Sequence, residues 1–381
     1  MKNALVVLPT YNEKENVHIL IPRIEKITAS IPNWKIDILV VDDNSPDGTH
    51  GEVMSLQKKY KNLHIISGEK QGLGRAYLRG FMHGIEHLNP FVIIEMDADC
   101  QHNPELIPRF LKTIEKGADF VIGSRYIRGG SIPHHWTIDR KFYSIVGNLV
   151  AQLGFMHFSI HDWTSGYRAM RSWFLKETSG EMVDHNGYEF QIALLEKAIK
   201  RHLVIKEIPL QFVDRHVGSS KLNSMHFIPK ALLYIFTNSS FIKFAAVGLL
   251  GFMIDFSIAA FLIHNLGIYT PTANAFSAEC AIIFNFFMNN FWSFSHKKVH
   301  AGIFSYLKKI VKFNLVSSGS VVIQAFGLFL LITFFGEKNM TFTHMGTIPS
   351  WVVYKVFLIA CIIIPYSYFM YNRYIWKNPR G

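Results

Sequence analysis

Short apolar runs alternate with longer stretches of helical periodicity along the first 225 residues of the chain. Five of these runs are rich in β-branched residues, and each is followed by turn-forming residues. They are residues 4–9, 36–42, 63–67, 91–96 and 119–123. Because each crossover between parallel strands places a helix against the sheet, the alternation predicts an α/β domain with a Rossmann-like, mainly parallel sheet covered on both faces.

From residue 241 onward, charged residues become rare and the apolar runs lengthen. Four stretches are mostly apolar, namely residues 244–263, 272–291, 313–335 and 351–370. Roughly 20 apolar residues are needed to cross ~30 Å of hydrocarbon, so the pattern predicts four transmembrane helices. A buried helix of a large soluble core is the alternative for any one run.

Positive charge is distributed unevenly between the loops of this second half. The loop after the second run and the C-terminal tail carry Lys297, Lys298, Lys308, Lys309, Lys312, Arg373, Lys377 and Arg380. The other two loops carry only Lys338. Since basic residues stay on the cytoplasmic side, the chain is predicted to be a multi-pass cell-membrane protein whose N-terminal domain is cytoplasmic. The formal net charge of +11 then indicates an anionic membrane surface and not nucleic acid.

These patterns divide the chain into residues 1–225, a soluble domain, 226–240, an interfacial helix or linker, and 241–381, the membrane domain. Residues 226–236 are amphipathic and lead directly into the first apolar run, which favours a helix lying in the membrane surface. A second amphipathic stripe begins after Arg140. It fits either a membrane-surface helix or an ordinary helix packed on the sheet.

Acidic side chains follow the fourth predicted strand. Asp97 and Asp99 are separated by one residue, so in an extended chain both point to the same face of the sheet. Gln101 is the next oxygen on that face. Hard oxygen ligands grouped in this way suit Mg²⁺ or Mn²⁺ together with substrate phosphate oxygens, although Asp-x-Asp also occurs in ordinary loops.

Polar residues also follow the first two strands, at the edge where parallel sheets bind ligands. Asp42 is the candidate to accept hydrogen bonds from a nucleotide base or ribose, and Tyr11 and Glu13 complete that pocket. Glu13 is explained equally well by the dipole of the helix that follows it. The sequence contains no phosphate loop of the Gly-x-x-x-x-Gly-Lys-[Ser/Thr] type, which argues against a nucleoside triphosphatase.

Basic residues that suit phosphate occur at two places. Arg125 follows the fifth predicted strand, where a guanidinium binds phosphate in bidentate fashion. Arg215 and Lys221 flank Ser219 and Ser220 in a loop before the membrane segments. That loop fits either substrate phosphate or plain contact with lipid headgroups.

Several motifs in the first 225 residues together resemble the dolichol-phosphate mannose synthase family, within glycosyltransferase family 2. They are Leu8-Pro9-Thr10-Tyr11-Asn12-Glu13, Val41-Asp42-Asp43-Asn44-Ser45-Pro46-Asp47-Gly48-Thr49, Met96-Asp97-Ala98-Asp99, Gly123-Ser124-Arg125-Tyr126, Ser165-Gly166-Tyr167-Arg168, Gly187-Tyr188-Glu189-Phe190-Gln191, Val213-Asp214-Arg215 and Ser220-Lys221-Leu222. The second half resembles the four-helix membrane domain called GtrA-like, mainly in its layout.

The resemblance implies a GT-A fold and inverting transfer of mannose from GDP-mannose to dolichyl (polyprenyl) phosphate, with Mg²⁺ or Mn²⁺ as cofactor. It assigns the nucleotide to Pro9, Tyr11, Glu13, Val40 and Asp42, the metal to Asp97, Asp99 and Gln101, the donor to Ala98, and the phosphates to Arg125, Arg215 and Lys221. Asp99, Arg125, Arg215 and Lys221 are the implied catalytic residues. One departure is Ser219, where many relatives have Glu.

Three other functions fit parts of the sequence. A polyprenyl-phosphate glucosyltransferase that uses UDP-glucose has a similar enzyme domain and also works with GtrA-like proteins. A lipid flippase with a domain that senses nucleotide sugars would contain the same two halves. A processive polysaccharide synthase shares the sheet but is expected to carry a Gln-x-x-Arg-Trp motif, which this sequence lacks.

Overall fold

The computed structural model describes residues 1–133, 136–187, 189–212, 224–297, 302–342 and 346–376. The chain forms two compact units, Met1–Ile235 and Phe236–Gly381. The division falls within residues 226–240, the segment assigned from sequence to an interfacial helix or linker.

The first unit is built on a seven-stranded sheet in the order β3-β2-β1-β4-β6-β5-β7. Its strands are β1 Lys2–Thr10, β2 Trp34–Asp42, β3 Leu63–Ser67, β4 Val92–Glu95, β5 Phe120–Ser124, β6 Arg168–Arg171 and β7 Ile205–Pro209. β6 is antiparallel to both β4 and β5, and the other neighbours are parallel. The predicted α/β fold with a mainly parallel sheet is therefore confirmed.

The pattern of apolar residues identified five of the strands and missed β6 and β7. The short β6 begins and ends with arginine, and β7 is interrupted by the adjacent charged residues Lys206 and Glu207. Neither forms the continuous apolar run that marks a strand buried on both faces. By contrast, residues 4–8 of β1 are all buried and all apolar, so the centre of the sheet is visible in the sequence.

Helices cover both faces of this sheet. The helices of the chain up to residue 238 are α1 Lys14–Thr28, α2 Thr49–Gln57, α3 Leu73–His87, α4 Ile107–Glu115, α5 Ile138–Phe155, α6 Ser172–Met182, α7 Glu189–Lys200 and α8 Ser224–Asn238. α3 packs directly on β1, because Gly80 and Gly84 leave room for Val7 and Leu5. A Cβ at Gly84 would lie 2.1 Å from a Leu5 methyl, so a larger residue there would force the buried Leu5 side chain to shift.

The second unit is helical. It contains α9 Ser240–His264, α10 Thr270–Met288, α11 Ile303–Phe335, α12 Ser350–Leu358 and α13 Ile364–Tyr374, with a hairpin of β8 Asn339–Phe342 and β9 Gly346–Pro349. A π-helical turn, Asn289–Ser293, extends α10, and another, Ile359–Ile363, joins α12 to α13.

Three helical segments in the described part of the chain are long and apolar enough to cross a membrane: Ser240–His264, Tyr306–Phe335 and Val353–Tyr374. They correspond to the first, third and fourth of the runs predicted from sequence. α10 matches the second run in position but is less apolar, because it carries Glu279 and Asn285. A membrane span at α10, the second of the four runs, stays a prediction.

Candidate active site

A pocket of about 370 Å³ opens at the carboxyl ends of β4 and β5. One part of its wall is polar and comprises Asp97, Asp99, Gln101, His102, Arg125, Arg140, Thr164, Ser165 and Gln191. Another part is apolar and comes largely from α5 and α8, including Phe142, Val146, Val150, Ile228, Leu232 and Ile235. The pocket therefore presents carboxylates, guanidinium groups and hydrocarbon to one ligand volume.

Asp97, Asp99 and Gln101 lie in an irregular turn that follows β4, not in the strand itself. Cys100 adopts a left-handed backbone conformation with φ 64°, and the Gln101 backbone N–H donates to the Asp99 carboxylate at 3.1 Å. The turn, not the alternation of a strand, brings the three oxygen-bearing side chains to the pocket. The Asp97 side chain is 33% exposed, whereas Asp99 and Gln101 are buried.

Asp97 is oriented by two aromatic side chains beneath it. The fully buried Tyr77 hydroxyl donates to Asp97 Oδ1 at 2.7 Å. His102 Nδ1 accepts the Asp97 backbone N–H at 3.0 Å, so its ring proton is on Nε2, which lies 3.9 Å from Asp97 Oδ2. Burial lowers the pKa of His102 and keeps the ring neutral, so it can make both contacts.

The donor set of this turn suits a hard divalent cation. Two carboxylates and an amide oxygen are the ligand types that Mg²⁺ and Mn²⁺ accept while keeping positions for water and phosphate. In the described part of the chain, no three His, Cys, Asp or Glu side chains are grouped to hold a metal by themselves. A metal at Asp97 and Asp99 would therefore depend on other ligands, which is the usual arrangement for Mg²⁺ with a substrate diphosphate.

Arg125 is held in a two-pronged ion pair. Its Nε and Nη2 donate to the two Asp162 carboxylate oxygens at 2.8 and 2.7 Å, and Nη2 also donates to the Thr164 hydroxyl at 2.7 Å. Burial alone would raise the pKa of Asp162, but the Arg125 guanidinium outweighs it and leaves that pKa below its ordinary value. Arg125 thus enters the pocket as a fixed group, because its planar fork matches the carboxylate.

A fully buried polar network lies beside this pair. Arg168 donates to the backbone carbonyls of Gln191 at 2.7 Å and Trp163 at 2.9 Å. The Gln191 side-chain amide donates to Glu95, the last residue of β4. Burial raises the pKa of Glu95 to about 8. The negative charge of this carboxylate must therefore be removed by a proton or balanced by the Arg168 guanidinium. The network joins the strand under Asp97 to the residues that hold Arg125.

Sequence reasoning identified none of these supporting residues by role. Arg168 and Gln191 entered only as letters of the family resemblance, and Tyr77, Glu95 and Asp162 were not singled out. The pattern of apolar and polar positions predicts the helix, strand or loop in which each residue lies. It does not indicate that the residue supports a site. The available signal was the presence of ionisable residues inside otherwise buried segments, such as Glu95 after Val92-Ile93-Ile94.

The residues predicted to bind the nucleotide lie at the same sheet edge, outside the lining of this pocket. Thr10 pairs with Asp42 in the β1–β2 register, and the Asp42 carboxylate accepts hydrogen bonds from Thr10 Oγ1 at 3.0 Å and from the Ser45 backbone N–H at 3.0 Å. The Lys70 ammonium lies 3.4 Å from the centre of the Tyr11 ring. Glu13 precedes α1 and accepts a hydrogen bond from Asn16 at 2.6 Å.

The remaining predicted site residues are either buried in the first unit or lie outside the described residues. Pro9 and Val40 are buried in the adjacent central strands β1 and β2, and Ala98 is buried between the two aspartates. Arg215 and Lys221 lie outside the described residues, so their predicted contacts with phosphate stay predictions.

Comparison with known proteins agrees with this architecture. Residues 5–178 match the family described as glycosyl transferase family 2, and residues 243–376 match the GtrA/DPMS transmembrane domain. The fold and these matches define a membrane-bound glycosyltransferase with a GT-A-like catalytic domain.

The chain is also similar to proteins of named activity. It is 32% identical over 356 residues to the dolichol-phosphate mannosyltransferase of Pyrococcus furiosus, covering 91% of this chain and 96% of that protein. It is 38% identical to the polyprenol monophosphomannose synthase of Mycolicibacterium smegmatis, over 58% of this chain and 82% of the relative. It is 36% identical to the undecaprenyl-phosphate mannosyltransferase of Micrococcus luteus, over 58% and 87%. The chain belongs to the dolichol-phosphate mannosyltransferase family.

Proposed function

We propose that this protein transfers mannose from GDP-mannose to the phosphate of a dolichyl or other polyprenyl lipid, at the cytoplasmic face of the membrane and with inversion at the anomeric carbon. The observation that carries the proposal is the composition of the pocket. It joins the Asp97 and Asp99 carboxylates and the Arg125 guanidinium to apolar walls from α5 and α8. The names of the relatives supply the sugar and the class of acceptor.

At the donor end, Asp97, Asp99 and Gln101 would hold Mg²⁺ or Mn²⁺. A metal held there would supply positive charge to the diphosphate and to the departing nucleoside diphosphate. Tyr77 holds the Asp97 carboxylate and His102 accepts the Asp97 backbone N–H, so both contacts are in place before substrate arrives. Pro9, Tyr11, Glu13, Val40 and Asp42 would bind the nucleotide at the neighbouring strand ends, with Ala98 against the donor.

At the acceptor end, the protein must bring an anion to the sugar. A phosphate monoester has a second pKa near ~6 and is already a nucleophilic anion at neutral pH, so no general base is required. Arg125 and Arg140 line the pocket and would hold that phosphate, joined by Arg215 and Lys221 from the loop before α8. Fixed cations at this point also stabilise charge in the transition state.

The apolar walls fit the hydrocarbon part of the acceptor. Val146 and Val150 of α5 and Ile228, Leu232 and Ile235 of α8 line the same pocket as Arg125. A polyprenyl phosphate is a polar head on an apolar chain, and burying that chain contributes about 25 cal/mol per Å² of surface removed from water. The pocket matches both parts of such a lipid.

The outer side of α5 suits contact with a membrane surface. Ile145, Leu149 and Leu153 follow one another at four-residue spacing and are 51%, 47% and 44% exposed. An exposed apolar stripe on an amphipathic helix is typical of a helix lying in the membrane interface. This exposure favours the interfacial interpretation of α5 over packing wholly on the sheet.

The test supplies purified full-length protein with Mg²⁺ or Mn²⁺, a polyprenyl phosphate, and either GDP-mannose or UDP-glucose. We expect a mannosyl lipid of inverted anomeric configuration from GDP-mannose, and none from the Asp99→Asn variant. A product from UDP-glucose alone would establish the glucosyltransferase alternative. Binding of nucleotide sugar without product from either donor would instead support the flippase alternative and overturn the proposal.

A further inference from the structure

Two lysines converge on the last turn of α13, in the membrane unit. Lys297 Nζ donates to the Asn372 side-chain oxygen at 3.1 Å, and Lys309 Nζ donates to the Ile375 carbonyl at 2.9 Å. Asn372 lies in the last turn of α13 and Ile375 follows its last residue, so the two ammonium groups bind acceptors three residues apart at one helix end. Trp376 is anchored beside them, because its indole N–H donates to Asn290 at 2.9 Å.

The positive charges of these two ammonium groups are not balanced by negatively charged partners among the described residues. Both side chains are half-buried, and burial lowers the pKa of Lys297. Each ammonium has three N–H donors, and one hydrogen bond is found for each within the described residues. No ion pair joins either lysine to a carboxylate in that part of the chain.

The second unit contains few acidic residues that could pair with these two lysines. Residues 236–381 contain eleven Lys and Arg but only three acidic residues, Asp255, Glu279 and Glu337. Asp255 accepts from Ser277 at 2.5 Å, and Glu279 accepts from Asn314 at 3.2 Å. Glu337 follows the far end of α11, roughly 40 Å from Lys309 at 1.5 Å per residue.

The helix terminus explains only part of this arrangement. The carbonyls at the C-terminus of α13 attract cations, with an effect of about 0.3–1 kcal/mol at exposed sites. Placing two ammonium groups in a half-buried position costs more than that unless an anion accompanies them. Lys308 and Lys312 show the contrast, since they carry the same charge on the same helix and are exposed.

We infer that Lys297 and Lys309 form a binding site for the phosphate of a membrane lipid, distinct from the catalytic pocket. Lys297 follows the second predicted membrane run and Lys309 lies in the second turn of α11, so both are near the predicted membrane surface, where lipid phosphates are the abundant anions. Two ammonium donors at one helix end would bind two oxygens of one phosphate group. The occupant is an anionic phospholipid or a polyprenyl phosphate, which share this chemistry.

The test measures the melting temperature of the full-length protein in non-ionic detergent, with phosphatidylglycerol or phosphatidylcholine added at equal mole fraction. Phosphatidylglycerol is expected to raise it more than phosphatidylcholine, because a ligand bound only to the folded state stabilises it. The Lys297→Gln/Lys309→Gln variant should lose most of that rise. The matched Lys308→Gln/Lys312→Gln variant, which removes the same charge, should keep it.

Equal losses in the two variants would show diffuse attraction to a basic surface and overturn the site. No loss in either would overturn it as well. If the Lys297→Gln/Lys309→Gln protein does not fold, the two single variants are compared by native mass spectrometry, in which each should retain fewer phosphatidylglycerol molecules than Lys308→Gln.

Two further additions identify the source of the phosphate. A polyprenyl monophosphate that acts at far lower concentration than phosphatidylglycerol identifies the acceptor lipid, and equal potency identifies bulk phospholipid; both outcomes support the site. Sodium phosphate that reproduces the whole rise would mean an adventitious ion only and contradict the inference. None of these readouts depends on sugar transfer, so the outcome is independent of the proposed function.

Discussion

The hydroxyl of Tyr77 determines how the Asp97 carboxylate faces the pocket. Replacing Tyr77 with Phe keeps the buried ring and removes only the 2.7 Å hydrogen bond. Loss of a group that orients a metal ligand costs about 10-fold or more in metal affinity. We expect Tyr77→Phe to weaken Mn²⁺ binding by about that factor, measured by calorimetry, and to raise the Mn²⁺ concentration that transfer requires.

A matched control is Tyr167→Phe. Tyr167 is equally buried, but its hydroxyl donates to the Asn103 carbonyl at 3.1 Å and not to Asp97. This variant should lose a similar amount of stability while keeping the Mn²⁺ affinity of the parent. Equal losses of Mn²⁺ affinity in the two variants would show that the Tyr77 hydroxyl acts through general packing.

Asp162 makes the stability of the first unit depend on pH. Since its folded pKa lies below the unfolded value near ~3.9, its contribution is complete above that pH and is lost as the pH falls through the folded pKa. Breaking a buried pair costs about 3 kcal/mol or more. Asp162→Asn should therefore melt well below the parent at pH 7, and the gap should narrow below about pH 4.

The partly exposed pair of Asp119 and Arg171 provides the comparison for this measurement. Its atoms are 3.8 Å apart and partly solvent-exposed, so Asp119→Asn should cost only about 0–1 kcal/mol. The difference in melting temperature between the parent and Asp162→Asn should exceed that between the parent and Asp119→Asn. If it does not, or if it widens on acidification, Asp162 does not stabilise the fold through Arg125.

At the scale of helices and strands, α5 has two faces with separate predicted tasks. Val146 and Val150 face the pocket, whereas Ile145, Leu149 and Leu153 are exposed. Replacing the three exposed residues with Ser should reduce transfer to long-chain polyprenyl phosphate in vesicles several-fold. Transfer to a short-chain acceptor in detergent should stay close to that of the parent, because the pocket is untouched.

The comparison variant on the other face is Val150→Ser. It alters the wall of the pocket, so it should raise the acceptor KM in vesicles and in detergent alike. If the triple Ser variant behaves in the same way, α5 contributes to the pocket on both faces and the membrane-contact interpretation of its outer face is wrong.

How much of the fold could be predicted differs between these elements. β1 and β2 each contain a continuous apolar run, residues 4–9 and 38–41, so the core of the sheet followed from pattern alone. β6 could not be predicted in this way, because Arg168 and Arg171 interrupt the apolar pattern. This strand is stabilised by pairing with its neighbours and by buried hydrogen bonds. α10 shows the reverse, since Glu279 and Asn285 interrupt a run that looked apolar in outline.

The site was predictable only in its outward-facing parts. Asp97 and Arg125 stand out because polar residues after apolar strands mark a ligand edge. Asp162, which holds Arg125, lies 37 residues away in the sequence, and only the folded chain brings them together. Contacts over such separations carry no local pattern, so the support of a site is hidden even where the site itself is visible.

At the scale of the whole molecule, the direction of the chain through the membrane can be tested. Four spans would place the loop around Lys338 outside and the loop around Lys297 inside, together with the first unit. Single cysteines at these two positions, in a chain whose native cysteines are replaced, should react differently with a membrane-impermeant maleimide in intact cells. Only the cysteine at Lys338 should be labelled; equal labelling at both positions would contradict four spans.

The antiparallel strand β6 sets a distance that any substrate pair must respect. It separates β4, which ends near Asp97, from β5, which ends near Arg125. Strands lie about 4.8 Å apart, so the two groups stand at strand ends about 10 Å from each other. β6 enters this gap from Ser165 and Gly166, and a Cβ at Gly166 would lie 3.6 Å from the Asp97 carboxylate. Under the proposed function, this spacing would set how far apart the donor diphosphate and the acceptor phosphate bind.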